Sequence, residues 1–346
     1  MRLLVTGGAG FIGSAFVRRR LESTADSIVV LDRLTYAGNR ANLADVEADP
    51  DRARRYRFIH GDIADPATVR PLVASADAIV NFAAESHVDR SILDSEAFLR
   101  TGVIGVHVLL EAVREATAAG RKVRHLQVST DEVYGSLEEG MSSEDDPLAP
   151  RSPYAAAKAA GDLLVRAYHV TYDMDTLITR GSNTYGPHQH VEKLIPLFVT
   201  NAIDDQPLPL YGDGLQCRDW LYVDDHADAI GFVLDHGRSG QAYNVAGTGA
   251  RPNREIVAAL LGALGKPWSL VRAVADRPGH DRRYAMDGSR LAGLGWRPSV
   301  GLEDGLAATV GWYQSHEAWW RAAKNGDWDA YYERQYGERL AGSTSA

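Results

Sequence analysis

The stretch VTGGAGFIG, residues 5–13, ends a short apolar run and opens a helical pattern. Its glycines Gly7, Gly10 and Gly13 have GxxGxxG spacing, and the same stretch read from Gly8 satisfies GxGxxG. Glycines at these positions permit a tight turn, let backbone N–H groups approach a pyrophosphate, and bring the helix close to the strand. The stretch predicts the strand, phosphate-binding turn and helix that begin a dinucleotide-binding fold. A purely structural glycine-rich turn is the alternative.

The chain around this turn alternates apolar runs with helical patterns. The predicted strands are residues 3–5, 28–31, 56–59, 78–82, 125–129 and 175–180, and the predicted helices are residues 12–21, 66–75, 97–119 and 153–172. Nearly continuous apolar strands between helices are typical of a parallel sheet covered on both faces. We therefore predict an α/β fold, a Rossmann-like doubly wound parallel sheet with a smaller mixed C-terminal substrate-binding domain.

The pattern becomes less regular after about residue 180, where prolines and glycines cluster between helical patterns at 223–236, 253–264 and 301–324. We expect residues 1–180 to form mainly the dinucleotide-binding domain, with the catalytic residues. Residues 181–340 are expected to bind substrate and to interleave with the last strands of the sheet, and residues 341–346 to be a frayed tail. The aromatic-rich stretch 312–336 is expected to pack on the body of the protein.

Composition excludes several classes of function. The 346 residues include 37 Lys+Arg and 46 Asp+Glu, a net charge of −9, which does not favour nucleic-acid or anionic-membrane partners. The single cysteine, Cys217, allows no intrachain disulfide or cysteine metal cluster. No apolar run approaches the length of a membrane helix, and the first residues lack a signal-peptide cleavage site. We expect a cytoplasmic protein.

Two aspartates follow the second and third predicted strands. Asp32 lies near the roughly 20-residue offset at which a carboxylate binds the ribose of a dinucleotide. Its charge would repel a 2′-phosphate and so favours NAD, but the adjacent Arg33 could accept that phosphate, which leaves the preference open. Asp62 is either an adenine contact or an ordinary turn residue.

A candidate redox centre lies between the fifth strand and the helix after it. Thr130 ends the strand, and Tyr154 and Lys158 are spaced i, i+4, on one face of the predicted helix. An ammonium beside a phenol lowers the phenol's pKa, so we expect Lys158 to make Tyr154 a base for an alcohol that loses hydride.

Asp131 and Glu132 directly follow Thr130. A simple dehydrogenase needs one base, whereas two further carboxyl groups supply an acid and a base for an elimination. Adjacent carboxylates on a loop are commonly just solvated, and their place beside the candidate redox centre is what favours a catalytic role here.

These motifs resemble the dTDP-glucose 4,6-dehydratase family, within the extended short-chain dehydrogenases/reductases. The resemblance covers nearly the whole chain and includes residues 32–39, 83–91, 129–135, 192–196, 218–223 and 277–281, besides the glycine turn and the Tyr154/Lys158 pair. It implies that Tyr154, Lys158 and Thr130 oxidise C4 of the sugar with NAD, that Glu132 and Asp131 eliminate water across C5 and C6, and that hydride returns to C6.

The resemblance also implies binding residues. For NAD they are Gly7, Gly10, Phe11, Ile12, Gly13, Asp32, Thr35, Asp62, Ile63, Phe82, Ala83, Thr101, Tyr154 and Lys158. For the substrate, dTDP-glucose, they are Ser86, Thr130, Asn183, Lys193, Leu194, Pro209, Tyr211, Arg218, Asn253, Arg277, His280 and Tyr284. The sequence differs from the residues usual in the family at three places: Gly102, Thr184 and residues 188–191. They put contact details in doubt, not the chemistry.

Other interpretations remain open at this point. The chain could be a UDP-hexose 4-epimerase or decarboxylase, or an NAD-sensing regulator, although a regulator would be expected to lack one of the five catalytic residues. His188, His190 and Glu192 show no clear metal-ligand pattern, so we expect no metal. The resemblance implies a homodimer joined by helices near 97–119 and 153–172. Alternatively, both helices only cover the sheet.

Overall fold

The computed structural model describes residues 1–277 and 279–345. Pro278, in the predicted 277–281 motif, and Ala346, in the predicted tail, lie outside the described residues.

The strands are β1 (Arg2–Thr6), β2 (Ser27–Asp32), β3 (Tyr56–His60), β4 (Ala78–Asn81), β5 (Arg124–Thr130), β6 (Thr176–Gly181), β7 (Asn183–Tyr185), β8 (Leu208–Tyr211), β9 (Cys217–Tyr222), β10 (Ala242–Val245), β11 (Ala250–Pro252), β12 (Val271–Val274) and β13 (Thr344–Ser345). The α-helices are α1 (Phe11–Ser23), α2 (Ala44–Ala48), α3 (Pro50–Ala53), α4 (Pro66–Ser75), α5 (Val88–Leu93), α6 (Glu96–Leu99), α7 (Val106–Ala118), α8 (Pro153–Tyr172), α9 (Leu194–Ile203), α10 (Val223–His236), α11 (Asn253–Leu264), α12 (Ser289–Leu294), α13 (Leu302–Ser315), α14 (Glu317–Ala323), α15 (Gly326–Tyr332) and α16 (Glu338–Ala341). Short 3-10 turns cover Arg40–Leu43, Asp131–Tyr134 and Trp268–Leu270, and π-helical turns cover Arg100–Gly105 and Glu333–Gly337.

The main sheet has seven strands in the order β10-β6-β5-β4-β1-β2-β3, and every pairing in it is parallel. Alternate residues of its strands point to opposite faces. Leu3 and Val5 of β1 pack into a core with α1 and α10, whereas Leu4 packs into a core with α4 and α7. Burial on both faces explains the nearly continuous apolar strands, and the predicted doubly wound α/β fold is confirmed.

Two predicted helices are interrupted. The helix expected at 97–119 consists of α6, a π-helical turn and α7. The π-helical turn contains Gly102 and Gly105, where a Cβ atom would lie 3.1 Å from Ala157 Cβ and 2.4 Å from Ile63 Cδ1, respectively. The turn therefore packs closely on α8 and on the loop after β3. The helix expected at 301–324 breaks at His316, between α13 and α14.

The second half adds two three-stranded sheets, β11-β9-β7 and β13-β12-β8. Its core is rich in aromatic side chains, and Tyr313 and Trp320 in it are fully buried, which confirms the expected packing of residues 312–336. The end of the chain differs from the prediction of a frayed tail, because Thr344–Ser345 pair with Ala273 and Arg272 of β12. Within the described ranges, no helix is long and apolar enough to span a membrane.

Candidate active site

A cleft with a volume of about 270 Å³ opens at the carboxyl ends of the main-sheet strands. Ligands bind at this edge in open α/β sheets. The cleft is lined by every residue predicted to bind the cofactor and by the five predicted catalytic residues: Gly7, Gly10, Phe11, Ile12, Gly13, Asp32, Thr35, Asp62, Ile63, Phe82, Ala83, Thr101, Thr130, Asp131, Glu132, Tyr154 and Lys158.

The glycine turn joins β1 to α1 with little space for side chains. Gly7 has φ +70°, and a Cβ atom there would lie 2.6 Å from the backbone nitrogen of Ala83. A Cβ atom at Gly13 would lie 2.3 Å from the Gly7 carbonyl oxygen. Gly10 precedes α1 without capping it through a side chain, so the first N–H groups of the helix remain available to an anion. This cradle fits a dinucleotide pyrophosphate.

Asp32 ends β2 with its carboxylate fixed by the backbone. Its Oδ2 accepts from the Ala9 N–H at 2.9 Å, and its Oδ1 accepts from the Leu34 N–H at 2.8 Å. Burial raises the pKa of Asp32, and these two hydrogen bonds oppose the rise. Arg33, the residue that left the NAD preference open, has its guanidinium 3.6 Å from the Asp62 carboxylate. The Asp32 carboxylate thus lines the cleft at the end of β2, and the Arg33 guanidinium lies beside the Asp62 carboxylate.

Tyr154 and Lys158 lie on the first turns of α8, which begins after the capping residue Ser152. Lys158 Nζ donates to the Val128 carbonyl at 2.6 Å, and burial lowers the pKa of Lys158 to about 8. The predicted lowering of the Tyr154 pKa is not found. Burial raises the pKa of Tyr154, and the Glu132 carboxylate adds to the rise, while a hydrogen bond with Thr130 opposes it.

The two carboxyl groups after Thr130 have different surroundings. Asp131 is 3% exposed. Its Oδ1 accepts a hydrogen bond from the Thr130 hydroxyl at 3.0 Å, and its Oδ2 has no hydrogen-bond partner. Burial, with Glu132 as the second cause, raises the pKa of Asp131 to about 8. Burial also raises the pKa of Glu132, but Arg277, Arg218 and Lys193 all oppose that rise. The two adjacent carboxyl groups thus differ in their surroundings: three cations act on Glu132, whereas burial dominates at Asp131.

A second cavity, of about 150 Å³, shares Glu132, Asn183 and Lys193 with the cleft. Its lining includes most of the predicted substrate residues: Asn183, Lys193, Leu194, Pro209, Tyr211, Arg218, Asn253, Arg277 and His280. Ser86 lines only the first cleft. Tyr284 lines neither cavity and instead lies beneath Arg218, whose guanidinium is 4.4 Å from the centre of the Tyr284 ring. The fold thus brings nine of the twelve predicted substrate residues together in one cavity, which Glu132 also lines.

Two arginines enter this second cavity. Arg218 donates to the carbonyls of Cys217 and Asp281, and its burial lowers its pKa. Arg277 donates from Nη1 to Asp89 Oδ1 at 3.0 Å, and the Asp89 carboxylate is the main cause that raises the pKa of Arg277 against its burial. Two cations on a cavity wall, the buried Arg218 and the half-buried Arg277, suit a diphosphate.

Known proteins resemble the chain over nearly its whole length. The family model described as GDP-mannose 4,6 dehydratase matches residues 4–309. The chain is 53% identical over 322 residues to a dTDP-glucose 4,6-dehydratase of Streptomyces griseus, covering 92% of this chain and 95% of that protein. It is 50% identical over 333 residues to the Streptomyces niveus enzyme of that name, covering 94% and 97%. A crystal structure of the Streptomyces venezuelae dTDP-glucose 4,6-dehydratase, with NAD and TYD bound, matches with a TM-score of 0.89 and 54% identity, covering 94% of this chain and 100% of that one.

The chain belongs to the sugar-nucleotide 4,6-dehydratase family. The structure shows where its sequence differs from the pattern typical of the family. Gly102 allows the π-helical turn to contact Ala157, beside Lys158. Thr184 lines the cleft, and its hydroxyl oxygen is hydrogen-bonded to His226 Nδ1 at 2.7 Å. The His188 ring packs 4.5 Å from the Trp312 ring, and among the described residues no group of histidine, cysteine or carboxylate side chains is arranged to hold a metal.

Several residues in or near the site were not predicted. Asp89 is a buried hydrogen-bond centre of the second cavity. Asp162 is a buried carboxylate that pairs with Arg180 at 2.9 Å and whose charge acts on Lys158. His226 lines the first cleft with its Nε2 unpartnered. Asp89 lies in residues 83–91, a stretch that carries the resemblance, so the sequence could have indicated its role. Asp162, four residues after Lys158 on a helix, also had the right spacing.

Proposed function

We propose that the chain is an NAD-dependent dTDP-glucose 4,6-dehydratase, which converts dTDP-glucose to dTDP-4-keto-6-deoxyglucose. One observation carries this proposal: the Asp131 and Glu132 carboxyl groups share a cleft with Tyr154 and Lys158, next to the glycine turn. A redox centre with two further carboxyl groups of different pKa supports oxidation coupled to elimination.

The first step is oxidation at C4 of the hexose. NAD⁺, when bound, would supply the hydride acceptor for C4 and the hydride that C6 later receives. Tyr154 removes the proton of the 4-hydroxyl group, and Thr130 lines the same cleft. Lys158, held at the Val128 carbonyl, provides the cation that stabilises the phenolate.

The second step is loss of water across C5 and C6. The 4-ketone acidifies the C5–H bond, so Glu132 can remove that proton. Asp131, whose pKa burial raises to about 8, donates its proton to the 6-hydroxyl group, which leaves as water. Glu132 returns a proton to C5 when hydride reaches C6. The proton that Tyr154 takes from the 4-hydroxyl group makes up for the proton that Asp131 gives to the leaving hydroxyl, and the Thr130 hydroxyl, which donates to Asp131 Oδ1, lies on this side of the site. The net change is loss of one water.

The substrate nucleotide occupies the second cavity under this proposal. Arg218 and Arg277 bind the diphosphate, and the sugar extends toward Glu132, which lines both cavities. The proposed division of the chain follows: residues 1–180 bind NAD and carry the catalytic groups, and residues 181–340 mainly hold the sugar nucleotide.

The test is an assay with dTDP-glucose and no added NAD. We expect the purified protein to form the 4-keto-6-deoxy sugar, recorded by its absorbance in base, and to act poorly on UDP-glucose. Formation of a C4 epimer or of CO₂ instead would establish the epimerase or decarboxylase alternative.

A variant separates the two steps. Glu132→Gln should still oxidise C4, seen as reduced cofactor absorbance, but should not release water. Unchanged dehydration by this variant would remove Glu132 from the mechanism.

We also propose a cytoplasmic homodimer. Apolar side chains are exposed on α6, on the π-helical turn after it and on α8: Leu99, Ile104, Leu163, Val170 and Tyr172 are 49%, 50%, 55%, 75% and 49% exposed. Leu163 and Val170 are seven residues apart and lie on one face of α8. A second copy of this face would cover them and form a four-helix interface.

Light scattering after size exclusion tests the dimer. The dimeric mass is expected for the unaltered chain, and the monomeric mass for Leu163→Glu combined with Val170→Glu. A monomeric unaltered chain would contradict the proposal.

A further inference from the structure

The last helical segment of the chain, residues 326–341, follows the end of the family match at residue 309. It consists of α15, the π-helical turn Glu333–Gly337 and α16. Most of its buried rings belong to the second core, but the side chain of Tyr336, 4% exposed, also lines the second cavity. The segment therefore contributes directly to the wall of the proposed substrate site.

The Tyr211 hydroxyl links this segment to the cavity. It donates to Asp89 Oδ2 at 3.0 Å, and it accepts from Gln335 Nε2 at 2.7 Å and from Arg339 Nη1 at 3.0 Å. The centres of the Tyr211 and Tyr336 rings are 6.0 Å apart. Two residues of the C-terminal segment thus fix the orientation of a predicted substrate residue.

Asp89 extends the link to Arg277. Its carboxylate accepts from Arg277 Nη1 at 3.0 Å and from Gln335 Nε2 at 3.1 Å, besides the Tyr211 hydroxyl. Because Asp89 is 3% exposed, each of these donors satisfies a buried charge. The diphosphate-side arginine, the Tyr211 side chain and the C-terminal segment form one connected network.

The wall around Tyr336 suits one end of a sugar nucleotide. Leu194, Phe198 and Pro209 line the same cavity as the two tyrosines and give it apolar surface. The sugar end needs the acid and base groups at Glu132, whereas a pyrimidine presents a flat π face that packs on aromatic rings.

We propose that Tyr336 contacts the nucleoside of the bound sugar nucleotide, and that Gln335 and Arg339 are positioning residues that hold Tyr211 beside it. This inference rests on the proposed function, since it assigns the nucleotide end of that substrate.

The experiment measures binding of thymidine diphosphate and of inorganic pyrophosphate by titration calorimetry, together with kcat and KM. Tyr336→Ala should weaken binding of thymidine diphosphate about 10- to 100-fold, since loss of an aromatic ring under a base has effects of this order. Binding of pyrophosphate, bound NAD and kcat should stay within about twofold. Tyr336→Phe, which keeps the ring, should remain within about threefold of the unaltered protein in KM. Arg339 is half-buried, so Arg339→Gln should fold, and it should raise KM with kcat unchanged.

Tyr332→Ala is the matched control, because Tyr332 lies on the same segment, 5.1 Å from the Tyr336 ring, and does not line the cavity. Its affinity for thymidine diphosphate should be unchanged. The inference would be overturned if Tyr336→Ala bound thymidine diphosphate as well as the unaltered protein does. It would also be overturned if Tyr336→Ala weakened pyrophosphate binding equally or lost bound NAD, or if Tyr332→Ala weakened thymidine diphosphate binding as much as Tyr336→Ala does. Absence of dehydration by the unaltered chain would instead refute the proposed function, and the binding result would still be read independently.

Discussion

The two halves of the molecule build the site by different means. Up to β6, each functional group belongs to a local motif: the glycine turn joins β1 to α1, Thr130 to Glu132 follow β5, and Tyr154 and Lys158 share one face of α8. In the second half, single side chains come from distant segments. Tyr211 and Gln335 reach Asp89 from 122 and 246 positions away. The proposed catalytic residues therefore lie in short sequence motifs, whereas the proposed substrate-binding residues are brought together by long-range packing.

The largest expected effect separates chemistry from binding. Tyr154→Phe removes the proton acceptor and should lower kcat about 10²- to 10⁴-fold, the usual contribution of a general base, while KM for dTDP-glucose stays similar. Arg218→Met, in the second half, should mainly raise KM. Steady-state kinetics of both variants check this division. A tyrosine variant that keeps a tenth of the rate would mean that another group takes the proton.

Stability of the second half is expected to depend on its aromatic core. Trp320 is fully buried and donates from Nε1 to the Tyr313 carbonyl at 2.9 Å. Trp320→Ala should lower the free energy of unfolding by about 3–5 kcal/mol, measured by urea denaturation. The half-buried Trp319 is the matched control, and Trp319→Ala should have a smaller effect. Equal losses would show that the core does not depend on Trp320.

The glycine turn allows a backbone test in the first half. Gly7→Ala adds a Cβ atom 2.6 Å from a backbone nitrogen at φ +70°, and should destabilise the protein by about 2–4 kcal/mol and weaken NAD binding. Gly120→Ala, at φ +83° with no atom within 4 Å of the new Cβ, isolates the backbone strain and should cost about 1–2 kcal/mol. NAD titration and thermal denaturation of the two variants test this. An equal loss of unfolding free energy in both would exclude the predicted clash at Gly7.

The smallest expected effect is electrostatic and links the halves. The Arg277 guanidinium is the main charge that opposes the rise of the Glu132 pKa, so Arg277→Met should raise that pKa. In the proposed mechanism Glu132 acts as the carboxylate, so the acidic limb of the kcat–pH profile should move to higher pH. The alkaline limb, set by deprotonation of Asp131 with a pKa of about 8, should remain. Profiles recorded at saturating substrate test this. An unmoved acidic limb would show that Arg277 does not act on Glu132.

These differences explain what the sequence could predict. The parallel sheet, the glycine turn and the candidate redox centre followed from local patterns, because strand ends and helix faces fix where neighbouring residues point. Most of the other residues that line the first cleft were implied by the resemblance. The strands of the second half are only two to six residues long and are interrupted by prolines and glycines, so periodicity did not identify them. The partners of Asp89 could not be predicted without the fold. The lowered pKa expected for Tyr154 was wrong because burial and Glu132 act in the opposite direction.

Isotope transfer within one hexose tests the central claim most directly. The dTDP-glucose carries deuterium on C4, and the product is analysed by mass spectrometry and NMR after turnover in ordinary water. The account predicts that the deuterium appears in the C6 methyl group of the same molecule. Deuterium lost to solvent, or retained at C4 of a dehydrated product, would contradict it.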